Sequence, residues 1–385
     1  MKIKKLPFLI LLGWVAFSQS SYQNIPSFDS ENMEKAMHTV SAQESQMPVD
    51  STIQQKIRNY LIANGINGNI AVVKDGKTIF NDGTGFANFS DRSRNQRFTT
   101  HPIGSITKAI VAASVLQLQD KGKLSIYDPV AKYFPHFRNG SNIQLIHLLN
   151  HTSGIQPPHW HFANRSPEAL IQAIEKKPVK FSPGSRWDYK DANYVVLGCI
   201  IEKVSGLPLH EYIQKNIFDQ ANMKNSGFIT EQYLSADSSV GYLKKMNQMM
   251  ALRTWNPKSL YGFADIYSTA YDVCEFDQAL MNGKLISKKS LTAMLTPGSN
   301  SGYGLGVYKL GYAVYSRGVL GGWESLHVYY KDHTSIAVLL NVRDKKMDIH
   351  QISKELFKIV ALQTPSPLPV SGDVSRLEKM KLGPF

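Results

Sequence analysis

Strand signals gather near the start and near the end of the ordered part of this 385-residue chain, and helical spacing fills the stretch between. Asn69-Ile70-Ala71-Val72-Val73-Lys74 and Lys77-Thr78-Ile79-Phe80 flank Asp75-Gly76, a dipeptide that tolerates positive φ and so closes a tight hairpin. After Gly302 the period-two pattern returns at residues 303–308, 312–315, 326–330 and 335–340, with Lys331-Asp332-His333-Thr334 as a turn. Strands so far apart in sequence complete one core by pairing in a common sheet. The expected class is α/β in the broad sense (α+β): an antiparallel sheet flanked by helices, with a mainly helical region inserted. Helices are expected at about 53–64, 141–149, 193–204, 269–281 and 347–362. The last carries Ile349, Ile352, Leu356 and Ile359 on one face and stops before Pro365.

Domain organisation follows from composition. Lys2, Lys4 and Lys5 precede the apolar run Leu6 to Phe17, and Ala16-Phe17-Ser18 offers small residues for cleavage. Residues 1–20 therefore read as an export signal, too short to span a bilayer comfortably. Residues 21–50 are polar and read as a flexible linker. Residues 51–365 form the expected domain, with sheet from about 52–100 and 260–365 and the helical region at about 105–255; residues 366–385 read as a tail. The expected location is periplasmic or secreted, with no stable membrane span once the signal is cleaved. The formal net charge of +13 suits anionic surfaces such as cell wall or headgroups. It does not point to nucleic acid, because no basic block interleaved with aromatics is present. Cys199 and Cys274 lie in apolar helical patterns and read as buried free thiols, although an oxidising compartment permits a disulfide.

The chemistry concentrates at Gly104-Ser105-Ile106-Thr107-Lys108. Apolar Ile106, Ala109, Ile110, Ala113 and Leu116 make one helical face, with Gly122 as a stop. Ser105 thus sits at the first turn of a helix, with Lys108 one turn on and on the same side. A serine hydroxyl attacks only when a base takes its proton. A lysine is such a base only if burial or neighbouring charge lowers its pKa. The helix start adds free N–H groups and a positive dipole end, which suit an oxyanion.

Three further segments accompany this one: Leu148-Leu149-Asn150-His151-Thr152-Ser153-Gly154; Phe181-Ser182-Pro183-Gly184 with Tyr189-Lys190-Asp191-Ala192-Asn193-Tyr194 following; and Gly321-Gly322-Trp323-Glu324-Ser325. In order and spacing, over roughly residues 52 to 362, the chain resembles the serine β-lactamases and penicillin-binding proteins, closest to the class C β-lactamase, D-Ala-D-Ala carboxypeptidase and esterase group. The resemblance implies a β-lactamase/transpeptidase-like fold. It implies that Ser105 is the acylated nucleophile, that Lys108 takes or relays its proton, and that Tyr189 serves as base and then as acid to the leaving group. It implies an oxyanion hole from the Ser105 N–H and one N–H near Gly318 or Val319.

Two departures from the family pattern bear on substrate. Where the family has Tyr-x-Asn, this chain has Tyr189-Lys190-Asp191, and a carboxylate accepts where an amide would donate. If close, Asp191 also favours the charged form of Lys108. The family's His-x-Gly or Lys-Thr-Gly triplet aligns with Ser316-Arg317-Gly318, so Arg317 is a candidate cation for a substrate carboxylate, shifted by one position. The substrate-contact set is thus Asp191, Ser316, Arg317, Gly318 and Val319. Glu324 reads as a paired or solvated carboxylate, and Tyr194 as packed in the cleft wall.

His147 and His151 have a zinc-like spacing, but Leu148 stands where a metalloprotease has glutamate, and His151 belongs to the His-Thr-Ser-Gly turn. His159-Trp160-His161 reads as a cleft-lip loop. No metal and no cofactor are called for. The expected activity is an exported serine hydrolase with a small-molecule or peptide substrate, cell-wall derived material included: an ester, a D-amino-acid peptide or a β-lactam. The alternative is a catalytically weak protein that binds cell-wall peptide or a partner through the same cleft.

Overall fold

The computed structural model describes residues 52–157, 166–230, 232–233, 237–245, 248–252 and 256–362. The signal segment, the linker, residues 366–385 and His159-Trp160-His161 lie outside the described residues. Helix α1 (Ile53–Ala63) begins at Thr52, whose side chain accepts from the Gln55 N–H. Strands β1 (Gly68–Lys74) and β2 (Lys77–Thr84) follow, joined through Asp75 (φ +50°) and Gly76 (φ +73°), the mirror-image turn that matches strand twist. Then come α2 (Thr107–Asp120), α3 (Leu145–Leu149), α4 (Ala192–Ser205) and α5 (Ala270–Met281). Strands β3 (Tyr308–Leu310), β4 (Ala313–Leu320), β5 (Trp323–Tyr330) and β6 (Thr334–Leu340) precede α6 (Ile349–Ala361).

Six strands make one antiparallel sheet in the order β3-β4-β5-β6-β1-β2. The N-terminal hairpin closes on the C-terminal strand, from Gly68 opposite Leu340 to Lys74 opposite Thr334. Both faces are covered. On one, Val72, Leu326 and Val338 pack with Ile57 and Leu61 of α1 and Leu356 of α6. On the other, Ala71, Ala337 and Leu339 pack with Ile110 of α2 and Val273 of α5. That double burial is why β6, expected from the sequence with period two over 335–340, is instead a nearly continuous apolar run buried along its whole length. It also accounts for α2, in which every residue from Thr107 to Leu118 is buried, not one face alone. The helix is enclosed between the sheet and the helical region, so it must be apolar all round. Cys199 and Cys274 are buried free thiols.

Three local outcomes differ from the sequence expectation. The helix expected over 141–149 is reduced to Leu145–Leu149, because Gln144 bridges Pro129 and the Ile143 carbonyl accepts from Val130 N. The strand expected over 303–308 starts only at Tyr308. Gly304 passes where a Cβ would stand 2.2 Å from the Met294 carbonyl, and Gly306 (φ +83°) lies against the Lys108 carbonyl, so this segment is moulded to α2. Within the expected helical region, Gly241–Lys245 and Gln248–Leu252 form a hairpin, and Val342–Asp344 pairs parallel to the former. The partner strand lies about 100 residues away, so local periodicity could not reveal it.

The turn that leads into α2 is docked on β4. A Cβ on Gly318 would stand 2.0 Å from the Ile103 carbonyl oxygen and 2.9 Å from Ser105 N, so only glycine allows this approach. Gly318→Ala is expected to destabilise the fold by about 1–3 kcal/mol through overpacking. A lowered melting temperature, with reduced fluorophosphonate labelling of Ser105 in the still-folded protein, is the expected outcome. Unchanged melting and labelling would show that the turn relaxes freely.

Candidate active site

Ser105 lies in the single 3-10 turn Gly104–Ile106 that leads into α2, and no side chain caps that start. Its amide faces the cleft edge of β4, next to Gly318 and Val319. Gly104 has φ +52°, and a Cβ there would meet Val319 N at 3.0 Å. The Ile103 carbonyl accepts from Ser325 Oγ at 2.7 Å, and Ile103 N donates to the Ile266 carbonyl at 3.0 Å. Ser325 and Ile266 thereby fix the turn from two sides.

Lys108 Nζ is the hub. It donates to Ser105 Oγ at 3.0 Å and to the Phe263 carbonyl at 3.2 Å, and stands 2.8 Å from Asp191 Oδ1. It also faces the rings of Tyr189 and Phe263, 5.0 and 5.2 Å from their centroids. The lysine side chain is 1% exposed and its carboxylate partner 41%. Burial disfavours the ammonium, but Asp191 and Tyr189 outweigh it and hold the Lys108 pKa above its ordinary value. Tyr189 is likewise raised, by burial first, with Lys108 pulling it back and Asp191 adding to the rise. At rest the site therefore holds a lysine ammonium, an aspartate and a neutral phenol.

Tyr189 is set by His151, whose ring lies tilted against it with centroids 4.2 Å apart. His151 Nδ1 accepts from Lys190 N at 3.2 Å and pairs with Asn193 Nδ2 at 2.9 Å, and Asn193 Oδ1 in turn accepts from Ser153 Oγ at 2.6 Å. Burial, then the charges of Lys108 and Lys190, keep the His151 pKa well below 6.5. A neutral imidazole thus props the phenol without adding charge. Tyr194 donates to the Leu149 carbonyl at 2.8 Å, in the wall behind Lys108. His147 Nδ1 accepts from Gln144 N at the start of α3.

The structure brings Ser105, Lys108, Tyr189 and Asp191 together, with Gly318 and Val319 beside the serine turn. Ser316 is buried and donates to the Gly306 carbonyl at 3.2 Å. Arg317 lies apart. Alternation along β4 puts Val314, Ser316 and Gly318 toward α2 and puts Tyr315 and Arg317 on the α1/α6 face. There the guanidinium meets Glu324 Oε1 at 2.6 Å. The shift by one position noted in the sequence is thus a change of face. Sequence reasoning did not single out Phe263, Ser325 or Asn193. The first acts through its backbone carbonyl, which leaves no side-chain signal.

Comparisons with known proteins show what the chain is similar to. A protein-family model described as Beta-lactamase matches residues 53–354. The chain is 36% identical over 355 residues to the putative penicillin-binding protein PbpX of Bacillus subtilis, covering 90% of each. It is 27% identical over 311 residues to a teichoic acid D-alanine hydrolase of Staphylococcus aureus, covering 79% of this chain and 78% of that protein. The crystal structure of a penicillin-binding protein from Bacillus halodurans superposes with a TM-score of 0.70 at 25% identity, covering 79% of this chain and 98% of that one.

Asp191→Asn removes the charge that holds Lys108 protonated, so burial should dominate and lower the lysine pKa. If Lys108 takes the Ser105 proton, the rising limb of the kcat/KM profile should move to lower pH. A profile on a chromogenic ester measures this; an unmoved limb would separate Asp191 from the proton inventory.

Proposed function

The chain belongs to the beta-lactamase family of serine hydrolases, and on that premise we propose that it is an exported hydrolase forming an acyl-enzyme at Ser105. The observation that carries the reading is the 3.0 Å hydrogen bond between Lys108 Nζ and Ser105 Oγ inside a buried pocket. Support for export is the order of lysines, apolar run and small residues in 1–20.

In the proposed reaction, Lys108 first gives up a proton to solvent water and stands neutral. Ser105 Oγ then attacks the substrate carbonyl while its own proton passes to Lys108, and the tetrahedral oxyanion lies against the N–H groups of Ser105 and Val319. The neutral Tyr189 hydroxyl protonates the leaving oxygen or nitrogen as the C–O or C–N bond breaks, and recovers a proton from Lys108. Water repeats the sequence on the acyl-enzyme, releasing the acid and freeing Ser105. Asp191 opposes the first step, so activity should favour alkaline conditions.

The substrate proposed is a D-aminoacyl ester or amide without a carboxylate beside the scissile bond. β-Lactams and D-Ala-D-Ala peptides carry such a carboxylate. On β4 the position that would meet it holds Ser316, already bonded to Gly306, and Arg317 is directed to the other face toward Glu324. The relative named as a teichoic acid D-alanine hydrolase favours a D-alanyl group among such substrates.

Labelling with a fluorophosphonate probe and with a fluorescent penicillin, in the parent and Ser105→Ala, tests the reading. Phosphonate labelling that disappears in Ser105→Ala, with weak penicillin labelling, is expected. Absence of both labels would leave the same cleft as a binding site held silent by the Lys108–Asp191 pair. Tyr189→Phe should lower kcat by about 10²–10⁴ with the melting temperature retained; parental kcat would remove Tyr189 from the mechanism.

A further inference from the structure

Beside Tyr189 opens a cavity of about 700 Å³, lined in part by Arg186, Trp187, Asn300, Tyr308 and Tyr315. That volume suits a drug-sized ligand and well exceeds a single aminoacyl group. Aromatic rings run from Tyr189 toward its lining, with Tyr303 buried behind the wall and Tyr308, on edge strand β3, bringing Tyr315 of the α1/α6 face to the cavity. Trp187 and Tyr189 stand 6.3 Å apart, Trp187 and Tyr303 6.4 Å, Tyr303 and Tyr308 4.6 Å, and Tyr308 stacks on Tyr315 at 5.1 Å. The remaining lining is hydroxyl and amide. The Trp187 indole N–H is buried and has no hydrogen-bond partner among the described residues. Arg186 is exposed and forms no ion pair among the described residues, although its guanidinium lies over the Phe181 ring at 6.0 Å.

Each feature selects for part of one ligand chemistry. Aromatic faces take the C–H surfaces of sugars and polyols, and hydroxyl and amide side chains take their oxygens. An unpaired guanidinium takes an anion, and its planar fork fits phosphate or carboxylate oxygens. The net charge of +13 draws a polyanion to the surface.

We propose that this groove holds the leaving-group side of the substrate: a hydroxyl-rich, anionic chain whose anionic group meets Arg186 and whose polyol face lies on Trp187 and Tyr308. The inference rests on the acyl-enzyme reading and names the chemistry of the alcohol that Ser105 displaces. Phosphodiester and carboxylate chains share that chemistry.

Full-length Ser105→Ala protein, which binds without turnover, separates the sources. Its affinity is measured for poly(glycerol phosphate), for polygalacturonate and for uncharged dextran, at low and at physiological salt. At least one polyanion should bind about tenfold tighter than dextran, and the tighter of the two identifies the anion. Arg186→Gln and, separately, Trp187→Ala in the Ser105→Ala background should each weaken that binding severalfold, with the melting temperature checking the fold. Trp187→Ala removes no charge, so a loss there cannot come from the general basic surface. Should Trp187→Ala unfold, Trp187→Phe keeps one aromatic ring while losing part of the indole face and its N–H, and weaker binding is again expected. Dextran binding as tightly as both polyanions, or folded variants binding like their parent, would overturn the proposal. Failure of the acyl-enzyme reading shows separately, as absent phosphonate labelling of the parent protein.

Discussion

The ammonium of Lys108 is almost fully buried, and the site is arranged around keeping it there. An isolated charge in such a place would shed its proton. Here it is held by the Ser105 hydroxyl, the Phe263 carbonyl and the Asp191 carboxylate, with aromatic rings filling the remaining approach. The partners come from three separate segments: the helix start, the loop before residue 266 and the N-terminal end of α4. Bringing them together requires the inserted helical region to sit correctly on the sheet. Catalytic geometry and tertiary fold are therefore one constraint.

That constraint shapes the backbone as well. The serine turn lies against β4 because Gly318 has no side chain, and Ser325 and Ile266 hold the neighbouring Ile103 peptide in place. The sheet supplies rigidity, since β4 and β5 belong to a six-stranded array covered on both faces. The tyrosine wall is propped by a histidine kept neutral by burial and neighbouring cations. Rigid placement suits a site in which donors must be positioned before charge develops.

The electrostatics give the site an individual character. An aspartate beside the lysine stabilises its charged form against the cost of burial. On the sheet, a one-position displacement of the arginine has a large effect because strand side chains alternate faces. The cation that local alignment offers to the cleft belongs instead to a pair with Glu324 on the far side.

The sequence by itself determined much of this. Asp75-Gly76 dictates the hairpin through its backbone freedom, and the period-two runs at 312–315, 326–330 and 335–340 mark the central strands, which the structure extends to 313–320, 323–330 and 334–340. The Ser105-to-Lys108 spacing puts hydroxyl and amine one helical turn apart, and the Tyr189 and His151 segments mark the opposite wall. The hairpin, the strands and the Ser105-to-Lys108 spacing are local consequences of dihedral preference and periodicity, whereas the Tyr189 and His151 segments were legible through the resemblance to the family. What only the tertiary structure decided were relations between distant segments. The pairing of Gly241–Lys245 with Val342–Asp344, the Phe263 carbonyl on Lys108 and the face taken by Arg317 all depend on partners many residues away. Their energies arise from burial and pairing across the fold, which no local window of sequence contains.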